Sequence, residues 1–269
     1  MAGIISDRAT YNAGMNYDEL PGVKLEFAVP VMNAAGSLGF APDPRSELSL
    51  ANFGAFVTNP ISARARRVAN PPRLLSFPGG VLFHTGHPNP GVSGAVKQYA
   101  AAWARATVPV IVHLLPGKPE ELRKAVLRYE ELENVMAIEL GIGADSSTNL
   151  VMDLVQAAMG ERPLIAQLPL PRALDLAESA IEAGASAISL GPPRGALADP
   201  DGKMVSGRLF GPAIFPQALE VVRHCSGAGY AVIGAGGVER EFQIEAMLAA
   251  GALAVQMDIA LWKGNSSNL

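Results

Sequence analysis

Residues 163–190 read PLIAQLPLPRALDLAESAIEAGASAISL, and this stretch decides the fold. PLIAQL (163–168) and AISL (187–190) are apolar nearly throughout, as strands covered on both faces must be. Between them, 170–183 carries apolar residues at helical spacing. Gly184 then marks a helix C-terminus, where a left-handed residue is cheapest as glycine. Strand, helix and strand in so short a span form a parallel βαβ unit with a right-handed crossover. The alternation continues in both directions. Strands are predicted at AVPVMN (28–33), GAFVTN (53–58), VPVIVHLL (108–115), VMAIEL (135–140), YAVIGAG (230–236) and LAVQMD (253–258). Helices are predicted at 92–106, 117–131, 148–160, 213–228 and 239–250. Pro119, Glu120 and Glu121 supply start signals for the second of these, and Gly251 a stop for the last. Eight strands in this order predict an α/β fold, a single (β/α)8 TIM barrel. The 269-residue length suits it, since such barrels run to about 250 residues.

Three segments depart from the regular pattern. VLFH (81–84) reads as a strand in an insertion after the second barrel strand. Residues 191–212 read as a long loop after the sixth, and loops of that length are usually functional. The chain ends ALWKGNSSNL, which holds no closing helix of normal length. A chain cut short, or a partner surface over the gap, is the expectation, with homo-oligomerisation through that apolar face. Residues 1–21 read as an N-terminal extension of the single domain 1–269. No tandem repeat or low-complexity tract interrupts it.

With a net charge of −4 the chain offers no electrostatic reason to bind nucleic acid or an anionic membrane. No segment reaches the roughly 20 apolar residues of a membrane span. The polar start MAGIISDRATYNAG has no apolar signal core, and one cysteine, Cys225, permits no internal disulfide. A cytoplasmic protein with a small-molecule ligand is the expectation. In this fold the ligand site lies at the C-terminal ends of the strands.

The motifs follow one order from residue 22 to about 262. They are PVMNAAGSLGF (30–40), NPPR (70–73), GHPNPG (86–91), SGRLFGPAIFPQAL (206–219), VIGAGGV (232–238) and GALAVQM (251–257). In that order they resemble the class 1 dihydroorotate dehydrogenases, with the first as flavin loop and the last two as phosphate-binding strand ends. The resemblance implies a flavoprotein oxidoreductase acting at a CH–CH bond with FMN. It places Ala34, Ala35, Gly36, Asn59, His113 and Gln167 at the flavin ring, and Gly207, Gly236 and Gly237 at the Gly-rich and phosphate loops. A bare Gly-Gly turn admits two readings. Its N–H groups can approach a phosphate beside a helix N-terminus, or it can simply close a tight turn.

Against the family pattern, several positions have changed. The proton-abstracting Cys or Ser falls on Ala144, which has no titratable group. Family lysines fall on Asn59 and Gln167, neither of which supplies positive charge for a reduced flavin. Asp258-Ile259 stands where the family has Gly-Thr, and a carboxylate there repels a phosphate in a low-dielectric site. Asp258 is expected to pair with Arg208 or Lys263, or to turn away. These three positions oppose FMN binding. Phe83, Gly141 and Pro192 occupy or adjoin the substrate asparagines, which makes dihydroorotate itself an unexpected substrate.

His84 and His87 take the place of the missing acid or base, since imidazole titrates near working pH. Asn89, Glu139 and Arg208 are the expected substrate contacts. An alternative reading drops the flavin. It is a lyase, hydrolase or isomerase using His84, His87 and His113, with or without a metal, or else a non-catalytic subunit. His113 is equally readable as a buried, locally satisfied histidine. His224 and Cys225 sit on an outer helix, the first as surface and the second as packing. The Arg64, Arg66, Arg67 run reads as a solvated loop in preference to an anion site. Arg194 and Arg208 flank the sixth loop and suit an acidic ligand. Trp103 and Trp262 read as helix packing and barrel base or rim.

Overall fold

The computed structural model describes residues 25–262, apart from 44 and 47. The N-terminal extension 1–21 and the tail from Lys263 onward lie outside the described residues. Twelve strands are described: β1 Val31–Asn33, β2 Phe56–Val57, β3 Leu74–Phe77, β4 Gly80–Phe83, β5 Val110–Leu114, β6 Val135–Gly141, β7 Leu164–Pro169, β8 Ala187–Gly191, β9 Arg194–Ala198, β10 Met204–Phe210, β11 Val232–Ala235 and β12 Ala254–Met257. Eight of these form one parallel sheet in the order β1-β12-β11-β8-β7-β6-β5-β2. A parallel bridge between Met32 and Ala55 closes it into a barrel. The Asn33 side chain stitches the same seam, donating to the Val57 carbonyl at 2.7 Å and accepting from the Val57 N–H at 2.8 Å.

The helices lie where the apolar spacing predicts them. They are α1 Gly91–Ala104, α2 Pro119–Glu130, α3 Thr148–Ala158, α4 Ala173–Glu182, α5 Phe215–Gly227 and α6 Glu241–Ala249. Pro119 opens α2 with Glu120 and Glu121 in its first turn. Ser147 caps α3 by accepting from the Leu150 N–H. After β12 the described residues end in a short 3-10 turn, Ile259–Trp262. Among the described residues, no helix is long and apolar enough to cross a membrane.

Alternation along the strands explains why they read as apolar throughout. One set of side chains, including Val110, Val112, Ile138 and Ala166, packs outward under the helices. The other set fills the barrel. Ile111 lies beside Ala137, Ile165 beside Ala187 and Ile233 beside Ala254, so large and small residues alternate around the interior. Two residues further along each strand the interior layer turns polar, with His113, Glu139, Gln167, Ser189 and Gln256 in the sequence positions that follow. The fold thus delivers a ring of polar groups just below the C-terminal mouth.

The long segment after the sixth barrel strand is a correction to the sequence reading. Residues 191–212 form a β-hairpin, β9 and β10, rather than a loop. They join β3 and β4 in a four-stranded antiparallel sheet of order β3-β4-β10-β9. VLFH was expected as a strand in an insertion, and Gly80–Phe83 is one. The two insertions therefore build one sheet together. Gly207 makes this possible, because a Cβ there would run into the Phe83 carbonyl oxygen and Leu82 Cδ2.

Candidate functional site

Glu139 is fully buried at the centre of the polar layer. Its Oε2 faces His113 Nδ1 at 2.6 Å and accepts a longer bond from Gln167 Nε2 at 3.4 Å. Its Oε1 accepts from Ser189 Oγ at 2.6 Å and from Gln256 Nε2 at 2.8 Å. Burial opposes ionisation and is the largest influence on this carboxyl. The hydrogen bonds from His113, Ser189 and Gln256 together outweigh it and hold the group below its usual range. With Nδ1 bound to the carboxylate, His113 is oriented with Nε2 as its remaining ring nitrogen. Gln256 Oε1 is buried without a hydrogen-bond partner. An orphan acceptor of that kind asks for a donor from a ligand or water.

Above this layer lies a cavity of about 410 Å³, with a second of about 180 Å³ beside it. Ala34, Ala35, His113, Gln167 and Gly236 line the larger one, and Ala35, Gly36 and Asn59 the smaller. Most of the residues expected at a flavin ring are therefore brought together at the barrel mouth. Asn59 Oδ1 also accepts from the Gly39 N–H at 3.2 Å, which fixes the first loop. Trp262 forms part of the rim, its ring edge-on to Phe83 and its Nε1 donating to the Ser37 carbonyl.

The Gly236-Gly237 turn has positive φ at both residues. A Cβ on Gly237 would lie 2.5 Å from the Gly211 carbonyl oxygen, so the backbone passes too close for any side chain. The Asp258 carboxylate accepts a hydrogen bond from the Ile259 N–H, and the nearby Gly237 backbone favours its charged form. It forms no ion pair with Arg208 and does not turn away, against both expectations for which the structure gives a test; Lys263 lies outside the described residues. Asp258 is 7% exposed, and burial pushes its pKa up to about 6 despite those backbone bonds.

His87 and Arg208 line both cavities, and Arg66 and Arg194 line the larger. Burial lowers the His87 pKa to about 3, reinforced by the charges of Arg208, His113, Arg66 and Arg194. Arg66 is exposed, as the solvated-loop reading expects, and it also lines the larger cavity. The backbone of His87 has φ 54, unusual for a side-chain-bearing residue.

Other expected site residues are placed elsewhere. His84 lines neither cavity; its backbone N–H pairs with the Arg73 carbonyl on the insertion hairpin. Gly207 sits within β10 as described, packed on β4. Asn89 is spent on the turn that starts α1, where its Oδ1 accepts from the N–H groups of Ser62 and Gly91. Glu139 lies beneath the cavity and reaches it only through its partners. Cys225 is buried on α5, where burial raises its thiol to about 11, in keeping with a packing residue. His224 pairs with Glu220 on the same exposed face. Trp103 packs against Tyr99 and Tyr129. Ser189 and Gln256 escaped the sequence reading. Strand alternation, counting two residues on from Ala187 and Ala254, was the signal that finds them.

The comparisons agree with this fold. The family model described as Dihydroorotate dehydrogenase matches residues 19–148. The catalytic subunit of dihydroorotate dehydrogenase B (NAD(+)) from Pelobacter propionicus is 31% identical over 258 residues, covering 88% of this chain and 84% of that one. This chain belongs to the dihydroorotate dehydrogenase family. The equivalent subunit from Geotalea daltonii is also 31% identical, over 265 residues, covering 90% of this chain and 86% of the relative. A crystal structure of the Eimeria tenella enzyme in complex with ferulenol shares the fold, with a TM-score of 0.72 over 93% of this chain and 80% of that one, at 15% identity. The family is one of flavoprotein oxidoreductases built on the TIM barrel.

Proposed function

We propose that this family member is an FMN-type oxidoreductase acting on a small anionic substrate other than dihydroorotate. The observation that carries the reading is the mouth of the barrel. There a cavity of about 410 Å³ stands over a rigid polar layer whose Gln256 Oε1 lacks a partner. A flat heterocycle with ring N–H and carbonyl groups complements that layer. The residues fit the ring end as they stand, and the phosphate end with Asp258 neutral, a state that burial already brings close to working pH. Backbone around Ala34, Ala35 and Gly36, with Asn59, His113 and Gln167, would hold the ring, and Gly236 and Gly237 the phosphate.

When bound, the flavin supplies the two-electron acceptor. Everything else falls to the chain. Glu139 holds His113 and Gln167 in place, so the polar layer needs no reorganisation as charge develops. Gln167 and Asn59 donate hydrogen bonds without charge. With Ala144 at the position of the family's base, His87 is the cavity-lining imidazole placed to take a proton. An anionic substrate among its arginine neighbours cancels the repulsion that depresses its pKa, so binding turns His87 into a better base.

The relatives are named for dihydroorotate oxidation, while the residues at Ala144, Phe83, Gly141 and Pro192 argue for a different substrate. Purified protein should take up FMN with quenching of flavin fluorescence, and should reduce it slowly or not at all with dihydroorotate. Failure to bind either FMN or riboflavin would overturn the reading. The flavin-free alternative is favoured by one observation, the carboxylate already seated in the Gly-Gly turn. Its metal form finds no ligand set, since no group of three or more His, Cys, Asp or Glu residues placed to hold a metal is present among the described residues.

A further inference from the structure

The hairpin β9–β10 sets Arg208 directly opposite Arg194 across an antiparallel ladder. Like charges facing each other on neighbouring strands destabilise a sheet. Arg208 is half-buried, and its guanidinium finds only Thr85 Oγ1 at 3.3 Å and the face of Phe210 at 5.6 Å. Burial, followed by the charge of Arg194, lowers its pKa to about 10. Arg66 comes to the same cavity wall from the segment after β2, beside His87. Among the described residues no carboxylate lies within ion-pair distance of Arg66, Arg194 or Arg208. The one acid of the wall, Asp258, accepts from the Ile259 N–H and pairs with none of these arginines. Arg172, which also lines this cavity, is paired with Asp175, and Arg223 on α5 is paired with Glu220.

We infer that Arg208, Arg194 and Arg66 form a subsite for a phosphate group on the ligand of this cavity. Two or three guanidiniums without a counter-charge match a dianion better than a single carboxylate. Their planar forks also suit the oxygens of a phosphate monoester. The antiparallel pairing that costs stability in the empty state becomes an asset once an anion bridges Arg208 and Arg194. The subsite lies on the hairpin sheet, whereas the family resemblance places the cofactor phosphate at Gly236-Gly237. It names a substrate class for the cavity of the proposed function, but does not depend on flavin being bound. The phosphate can be carried by a substrate or by a mononucleotide, and the two sources are separable by experiment.

The test is calorimetric titration of the full chain with inorganic phosphate, with a simple sugar phosphate, and with FMN against riboflavin. Wild type should bind inorganic phosphate and the sugar phosphate. Arg208→Gln should weaken both at least tenfold and Arg194→Gln by less, while Arg223→Gln leaves them unchanged. Thermal melting supplies the second readout: phosphate should raise the Tm of wild type but not of Arg208→Gln, which removes an unpaired charge and should melt at or above wild type without phosphate. Loss of binding in Arg208→Gln for FMN but not riboflavin, with no effect on the sugar phosphate, would assign the group to the mononucleotide. Wild type that binds none of the phosphate-bearing probes, or an Arg208→Gln variant that binds all of them, FMN included, as tightly as wild type, overturns the subsite. Absent FMN and riboflavin binding with phosphate binding intact would overturn only the flavin reading.

Discussion

Two regions of the barrel mouth are built to meet an anion, and they differ in who supplies it. At the ends of β11 and β12 the Gly236-Gly237 turn offers backbone N–H groups, and the chain fills the place itself with the Asp258 carboxylate. The β9–β10 hairpin and Arg66 present three guanidiniums to the cavity, and among the described residues no carboxylate pairs with them. A self-filled cradle resists a ligand, while an unsatisfied cluster destabilises the apoprotein and attracts one. The comparison teaches where to look for the ligand's charge. It also locates the cost of the family's cofactor in this chain, at one carboxylate.

The largest expected effect removes the floor beneath both regions. Glu139→Ala leaves His113, Ser189 and Gln256 without their shared acceptor in a dry layer, and should cost roughly 3–5 kcal/mol in urea unfolding. Glu139→Gln, which keeps an acceptor, should cost less. Equal stability of Glu139→Ala and wild type would mean that the polar layer is not rigid.

Asp258→Asn breaks the self-filled side. The Asp258 pKa is raised from 3.8 to about 6 in the folded chain, so the folded state holds the proton more tightly than the unfolded one. Its contribution is fully present below the unfolded value and is lost as pH rises through about 6. Removing the charge should therefore stabilise the protein above that pH by on the order of 1–3 kcal/mol, with the gain vanishing in acid. Melting curves across that range check it; a variant less stable at neutral pH would mean that the backbone bonds of the carboxylate dominate.

His87 sharpens the other side. Its imidazole should titrate near 3 in the free protein, under the influence of burial and of Arg208, His113, Arg66 and Arg194. Saturating phosphate should raise that value by roughly one unit, as an opposite charge nearby does. Ring-proton NMR follows the titration directly, and an unmoved His87 would separate it from the arginine cluster. The smallest effect belongs to Arg223→Gln, whose exposed pairing with Glu220 should leave the melting temperature unchanged.

The barrel was legible because periodicity reports which faces are buried, and all eight strands and six helices follow from it. The second sheet was not. Its strands lie in two insertions far apart in sequence, and GPPRGALADPDGKMVSGRLF carries turn residues that mask the period of two. Gly236, His113, Gln167 and Arg208, named from motif and position, line the cavity, and Gly237 lies in the adjoining turn. His84 and Asn89, expected at the ligand, line neither cavity, because a loop motif does not reveal which way its side chains face. Ser189 and Gln256 were missed since small or neutral polar residues in apolar strands look like substitutions of convenience. The seat of Asp258 on Gly237 depends on two chain segments about twenty residues apart meeting at the barrel rim, which spacing alone does not disclose.

The account turns on that seat, and FMN titration of wild type and Asp258→Gly, followed by flavin fluorescence, tests it most directly. With the carboxylate gone and the N–H groups of Gly237 and residue 259 freed, the variant should bind FMN about one to two decades more tightly, an effect of roughly 1–3 kcal/mol. Riboflavin, which has no phosphate, should gain little. Tight FMN binding by wild type that weakens in Asp258→Gly would contradict the account, because the carboxylate would then be holding the cofactor rather than its place.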